Sequence, residues 1–184
     1  MVDPGESLVQ IIIHCHSAGK VSIEVAKRMA LAAKKHLLAG HSSIPEHIVT
    51  LDMQWLDQTK ATANGSSIFI EATTSSGCTL GASAIGTPKK TPEDTGLSAA
   101  QDLLKAIKGR VCLDEHAQDQ VIILMALAHG CSRVLTGPLT LHTKTAIFIA
   151  ELMTKAKFKV VETDANTAII ECEGIGYYVP PTNH

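Results

Sequence analysis

The stretch RVLTGPLTLHTKTAIFIA, residues 133–150, decides the fold of the second half of the chain. Its first residues form a short apolar run that predicts a strand, and a Gly-Pro break at residues 137–138 ends that strand. The apolar spacing that follows, with Ile147 and Ala150 on one face, predicts a helix. Thr140 and Thr143 are both candidates for its N-cap. The stretch therefore predicts a buried strand, a tight turn and a helix in close succession.

His142 lies at the joint between this turn and the predicted helix. The free backbone N–H groups and the positive dipole end of a helix N-terminus attract phosphate, and they favour a neutral imidazole over its protonated form. A neutral imidazole in that place can act as a nucleophile. The alternative is a histidine that only packs or caps the helix.

A second helix is predicted over residues 114–130, DEHAQDQVIILMALAHG, with Asp114 as N-cap and Gly130 just past the end. It begins with polar residues and then becomes almost wholly apolar. Such a pattern is typical of a helix with a buried body and an open N-terminal end.

Three polar residues, His116, Asp119 and Gln120, lie within about a turn of each other at this open end. If the two helix N-termini converge, these side chains and His142 form one anion-binding pocket for a nucleotide. The alternative is a solvated, capped first turn with no ligand.

The remaining segments predict a mixed α/β chain. From residue 8 to 108 the expected order is β-α-β-β-β-α, beginning with a strand at 8–13 that is buried on both faces. A strand at 131–136, a helix at 143–155, a hairpin at 157–172 and an irregular tail from 174 follow. The break at 109–110 is the expected domain boundary, which gives domains 8–109 and 110–184.

Composition narrows the classes of function. The chain has 184 residues, a formal charge of −2 and 45% hydrophobic residues, so it can bury a core but has no global basic field. Three Phe, two Tyr and one Trp argue against a platform that stacks many bases. Five cysteines without a C-x-x-C spacing fit a reduced intracellular compartment. No apolar run is long enough to span a bilayer, so we expect no membrane partner.

His14 and His16 flank Cys15 and would project from one face of a strand end. Two imidazoles alone do not make a metal site, and no third ligand follows at a recognisable spacing. We therefore expect no protein metal centre here and interpret the pair as a partly exposed strand end.

Several motifs together resemble the carboxy-terminal half of an RNA 3′-terminal phosphate cyclase of the eukaryotic type, and the resemblance covers nearly the whole chain. They are SAGKV at 17–21, VAKRMA at 25–30, TTSSGC at 73–78, DEHAQDQ at 114–120, MALA at 125–128, TGPLTLHT at 136–143, AKF at 156–158 and ECEGIG at 171–176. The resemblance implies an α/β (α+β) fold. Residues 8–109 would form a small thioredoxin-like inserted domain, and 110–184 the last βαβαββ-type unit of a larger cyclase domain.

The resemblance also implies a ligase that transfers a nucleotidyl group. His142 would attack the α-phosphate of ATP and form an adenylyl-histidine; AMP would then pass to the 3′-phosphate of an RNA, which closes to a 2′,3′-cyclic phosphate. Mg²⁺ would neutralise phosphate charge. The family's nucleotide contacts map to His116, Asp119 and Gln120, although the family usually carries tyrosine at position 116.

The family's amino-terminal half does not occur in these residues, so we interpret the chain as a fragment of the enzyme, either active or inactive by itself. The apolar faces of the helices that contain Val121 and Ile147 would then need another cover, and we expect self-association or a second chain that supplies the amino-terminal half. The expected location is the nucleus, with the cytoplasm as the alternative.

Two other functions stay open. A non-catalytic, cyclase-like protein of rRNA processing and ribosome biogenesis would lack the nucleophile, so the presence of His142 argues against it. A thioredoxin-like binding module without redox chemistry is the third hypothesis, because the chain has no C-x-x-C.

Overall fold

A computed structural model describes residues 1–164 and 166–178 of the chain. The chain divides into two compact units. One comprises Gly5–Arg110, and the other comprises Met1–Pro4 together with Val111–His184. The assignment of these units to an inserted and a catalytic domain stays a prediction.

The unit Gly5–Arg110 is a four-stranded sheet covered by two helices. In chain order its elements are β1 (Leu8–Ala18), α1 (Ile23–Gly40), β2 (Val49–Leu56), β3 (Gly65–Thr74), β4 (Thr79–Ile85) and α2 (Pro92–Lys108). The strands lie in the order β2-β1-β3-β4, with β1 parallel to β2 and antiparallel to β3. This arrangement confirms the predicted β-α-β-β-β-α order and the mixed α/β fold class.

Strand β1 is buried on one face only, so the prediction of burial on both faces is wrong. Alternate residues from Ile11 onward are buried, and those between them are only partly covered. The buried positions Ile13 and Cys15 pair with Ile70 and Ile68 of β3, which are also buried. Because paired side chains point to the same side of a sheet, these residues form one inner face. Both helices contribute buried residues to the core, and the other face of the sheet stays open.

The two helices approach each other closely at a glycine. A Cβ added to Gly96 of α2 would lie 2.2 Å from the carbonyl oxygen of Met29 in α1. The absence of a side chain therefore lets the two backbones come into contact. Beside this contact, Arg28 donates two hydrogen bonds, of 2.7 and 2.8 Å, to the carboxylate of Glu93. That ion pair lowers the pKa of Glu93.

The other unit is built on a three-stranded antiparallel sheet. Its elements are α3 (Gln120–Leu127), β5 (His129–Thr136), α4 (Leu141–Thr154), β6 (Lys157–Asp164) and β7 (Thr167–Ile175). The strand order is β5-β7-β6, so β7 lies between two strands that a helix connects. The predicted hairpin of β6 and β7 is confirmed. The buried core of this unit contains Leu113, Ile122, Met125, Ala126, Val134, Ala150, Ala156, Ile170 and Cys172.

Helix α3 is shorter than predicted at both ends. Residues 115–119 form turns instead of helix, although the carboxylate of Asp114 accepts hydrogen bonds of 2.9 Å from the N–H groups of His116 and Ala117, as a capping residue would. At the other end Gly130 lies within β5 with a φ of 79°. It is not the residue that follows the helix, because Ala128 already ends α3 in an extended conformation.

Exposed apolar side chains occur on both helices of this unit, which are the helices that contain Val121 and Ile147. Val121 and Ile147 themselves pack against the core and are partly buried. The exposed side chains are Ile123 and Leu124 on α3, and Leu141, Phe148, Ile149, Leu152 and Met153 on α4.

The predicted irregular tail lies partly within β7, which extends to Ile175. Ala165 and residues 179–184, which include Pro180 and Pro181, lie outside the described residues. Among residues 1–164 and 166–178, no helix combines the length and apolarity that a membrane span requires.

The contact at Gly96 gives a test of the first unit. Gly96→Ala should lower the free energy of unfolding by about 1–3 kcal/mol, because the new methyl group meets a backbone carbonyl that cannot move without separating α1 from α2. The matched control is Gly65→Ala, where a Cβ would meet nothing within 4 Å. Urea denaturation of both variants measures the difference, and equal stabilities would show that the helices do not depend on this close approach.

Candidate active site

His142 is the second residue of α4 and is exposed to solvent. The helix begins two residues before the predicted range of 143–155. Of the two candidate caps, Thr140 is the N-cap: its hydroxyl accepts a hydrogen bond of 3.1 Å from the N–H of Thr143. The N–H groups of Leu141 and His142 lie in the first turn, where helix geometry provides no intrahelical acceptor. An imidazole therefore stands beside backbone donors that can bind an anion.

The segment before this helix is fixed by the side chain of Gln118, which is 1% exposed. The amide nitrogen of Gln118 donates to the hydroxyl of Thr136 at 2.6 Å. It also contacts the carbonyl oxygens of Gly137 and Pro138 at 3.4 and 3.3 Å. One side-chain amide thus contacts three successive residues at the point where β5 ends and the turn to α4 begins.

The amide oxygen of Gln118 accepts two further hydrogen bonds from the start of α4. The N–H of Thr140 donates at 3.2 Å, and the hydroxyl of Thr143 donates at 2.8 Å. The Thr136 hydroxyl in turn donates to the carbonyl of Leu113 at 3.3 Å. These bonds bring the two segments 113–118 and 136–143 together inside the unit.

The three other predicted site residues lie on or next to the turn that carries Gln118. His116 is exposed, Asp119 is partly buried and precedes α3, and Gln120 is the first residue of that helix. The side-chain amide of Gln120 donates to the carbonyl of His116 at 3.1 Å, which closes the turn. Among the contacts of residues 1–164 and 166–178, no hydrogen bond or ion pair joins these three side chains to His142.

A cavity of about 400 Å³ opens beside the first turns of α4. Pro138, Leu139, Lys144 and Ile147 line one side of it, and residues of β6 and β7 line the other. Because successive helical residues are rotated by about 100°, Lys144 and His142 project from α4 in nearly opposite directions. The cavity and the imidazole are therefore on different sides of the helix.

Metal ligands are not clustered in the part of the chain that the structure describes: no three His, Cys, Asp or Glu side chains lie close enough together to hold an ion. His14 and His16 lie on the open face of the first sheet, and the Nδ1 atom of His14 is 2.9 Å from a carboxylate oxygen of Asp52. This hydrogen bond lowers the pKa of Asp52. His14 also stacks on Phe69, with ring centroids 6.1 Å apart.

Comparison with protein-family models matches residues 2–108 to the insert domain of RNA 3′-terminal phosphate cyclase. The match covers the four-stranded sheet and both helices of the first unit.

Several relatives carry the cyclase name. A Dictyostelium discoideum protein named "Probable RNA 3′-terminal phosphate cyclase" is 37% identical over 195 aligned residues, which include 100% of this chain and 43% of that protein. The RNA 3′-terminal phosphate cyclase of Drosophila melanogaster is 35% identical over 88% of this chain and 44% of its own length. The enzyme of that name from Methanothermobacter thermautotrophicus is 33% identical over 90% of this chain and 46% of its own length. The chain therefore spans less than half the length of these relatives.

The N-cap of α4 can be tested by Thr140→Ala. The variant leaves the N–H of Thr143 without its acceptor, so the free energy of unfolding should fall by about 1 kcal/mol. Thr140→Ser keeps the hydroxyl and should retain most of the stability. Thr145→Ala serves as control, because the Thr145 hydroxyl bonds only within the helix, to the carbonyl of Leu141. A loss in the control as large as that in Thr140→Ala would contradict a specific capping role.

Proposed function

The chain belongs to the RNA 3′-terminal phosphate cyclase family, and we propose that it carries the nucleotidyl-transfer site of an ATP-dependent RNA 3′-phosphate cyclase, with His142 as the nucleophile. The observation that carries this proposal is the position of His142, which is exposed in the first turn of the 14-residue helix α4. The buried side-chain amide of Gln118 holds the start of this helix by hydrogen bonds.

In the proposed reaction a ring nitrogen of neutral His142 uses its lone pair to form a bond to the α-phosphorus of ATP. The bond between that phosphorus and the pyrophosphate oxygen breaks, pyrophosphate leaves with the electron pair, and the ring releases a proton to solvent. The 3′-phosphate of an RNA then attacks the adenylyl phosphorus, the bond from phosphorus to the ring nitrogen breaks, and the imidazole takes up a proton from solvent as it leaves. Attack by the neighbouring 2′-hydroxyl, which loses its proton, releases AMP and forms the 2′,3′-cyclic phosphate.

The residues around His142 fit a phosphate-bearing substrate. The free N–H groups of the first turn can donate to phosphate oxygens, and such donors stabilise the charge that develops during transfer. Since the described residues contain no preformed metal cluster, the divalent cation, Mg²⁺ by family resemblance, would be held mainly by phosphate oxygens and water. That mode of binding is common for Mg²⁺ with nucleotides.

We assign the nucleotide contacts to His116, Asp119 and Gln120. All three lie on or beside the turn that contains Gln118, whose side chain is hydrogen-bonded to the start of α4. His116 is exposed, so its imidazole is free to stack on a base or to hydrogen-bond a ribose hydroxyl. Asp119 and Gln120 supply a carboxylate and an amide for polar groups of the nucleotide.

We infer the partners other than ATP from membership of the family and from the exposed apolar surface of α3 and α4. We propose an RNA with a 3′-terminal phosphate as substrate and the nucleus as the location. The exposed apolar residues on α3 and α4, such as Leu124 and Leu152, favour contact with further protein, either a second copy or the amino-terminal half of a longer cyclase.

A non-catalytic role in rRNA processing is the second candidate. It is favoured by one observation, which is that α3 and α4 carry exposed apolar side chains, such as Leu124 and Leu152, that suit binding to another protein.

The test is incubation of the purified protein with α-labelled ATP and Mg²⁺, followed by denaturing electrophoresis. The wild type should acquire an acid-labile label, and His142→Ala should lose it entirely because the acceptor nitrogen is gone. His129→Ala, which removes an exposed histidine of the same unit, should keep the label. A folded wild type without label would contradict catalysis by this chain and favour the non-catalytic candidate.

A further inference from the structure

The geometry points to Gln118 as a positioning residue for nucleotidyl transfer: its buried side-chain amide holds the residues on either side of His142 and so sets where the imidazole stands. This inference rests on the proposed function, because it concerns the same nucleophile. Gln118 itself touches no reacting atom, since it is 1% exposed and its amide is engaged entirely with the protein.

The hydrogen-bonding capacity of Gln118 is fully used. A primary amide offers two N–H donors and two lone pairs on oxygen. The nitrogen of Gln118 faces three acceptors in Thr136, Gly137 and Pro138, and its oxygen faces two donors in Thr140 and Thr143. A side chain at position 118 must therefore donate hydrogen bonds on one side and accept them on the other. An amide does both, whereas an apolar or ionised side chain of the same size does not.

Two of these bonds flank the nucleophile. Thr140 precedes His142 by two residues and caps α4, and Thr143 follows it directly. Both Thr136 and Thr143 are fully buried, so water does not replace a lost partner at these hydroxyl groups without entering the core. Without the amide the first turn of α4 would lose its bonds to Gln118 on both sides of His142, and the bonds between Thr140 and Thr143 would remain there.

Two substitutions separate positioning from bulk packing. Gln118→Met keeps the approximate length of the side chain and removes every hydrogen bond. Gln118→Glu keeps the shape, and its protonated carboxylic acid restores one O–H donor and one acceptor. Burial beside carbonyl oxygens should raise the pKa of a glutamic acid there, so the protonated form becomes accessible as the pH falls.

The readouts are the rate of adenylyl-histidine formation at saturating ATP, the ATP concentration that gives half that rate, and the exchange rate of the Thr140 amide measured by NMR without ATP. The control is Thr154→Val, which removes the hydroxyl bonds at the opposite end of α4, to the carbonyl of Ala150 and the N–H of Ala156.

Gln118→Met should lower the saturating rate about 100-fold, as expected for a small displacement of a reacting group. The half-saturating ATP concentration should change little, and the Thr140 amide should exchange faster. Thr154→Val should leave the rate and this exchange close to those of the wild type.

The pH dependence supplies a signature that a packing role would not give. As the pH falls from about 8 to about 6, the ratio of the Gln118→Glu rate to the wild-type rate should rise. The corresponding ratio for Gln118→Met should stay constant. The division removes the titration of neighbouring groups common to all variants. These groups are Asp114, Glu115, His116 and Asp119 on the turn, Arg133 on β5, and His142 and Lys144 on α4.

Equal rates for Gln118→Met and the wild type, or an unchanged exchange of the Thr140 amide, would overturn the positioning role. A ratio for Gln118→Glu that does not rise at low pH would also overturn it. If the wild type forms no adenylyl-histidine, the proposed function fails for this chain. The amide exchange then still decides whether Gln118 holds the start of α4.

Discussion

The second unit depends on one constraint, which is that the backbone crossing from β5 to α4 is partly buried and must still satisfy the polar groups that face the interior. Buried carbonyl and N–H groups without partners cost free energy, so such a crossing requires a donor and an acceptor from elsewhere in the chain. The side chain of Gln118 provides both. This single amide therefore links the end of β5 to the capping residue of α4, two residues before His142.

The start of α4 could be predicted from the sequence because the signals that determine it are local. A Gly-Pro break ends the strand, and a threonine follows at the capping position. The role of Gln118 could not be predicted in this way, because its partners lie 18 to 25 residues further along the chain. A glutamine in a polar run looks the same whether it faces solvent or the core.

Competition between local and distant bonds also explains the error at α3. Residues from 114 onward satisfy the pattern of a capped helix, and Asp114 does accept the two N–H groups that the pattern assigns to it. Yet the chain continues through turns until Gln120, and within them Gln118 faces the interior. In β1, similarly, a continuous run of isoleucines concealed the fact that the helices cover only one face of the sheet.

Membership of the cyclase family and the position of His142 together make nucleotide transfer the central claim. The most direct measurement is mass analysis of tryptic peptides after incubation with ATP, at a pH that preserves phosphoramidate bonds. Cleavage after Arg133 and Lys144 isolates residues 134–144, in which His142 is the one histidine. We expect one added adenylyl group on this peptide, with fragment ions that assign it to His142. An adduct on another residue, or a folded protein that acquires none, would contradict the account.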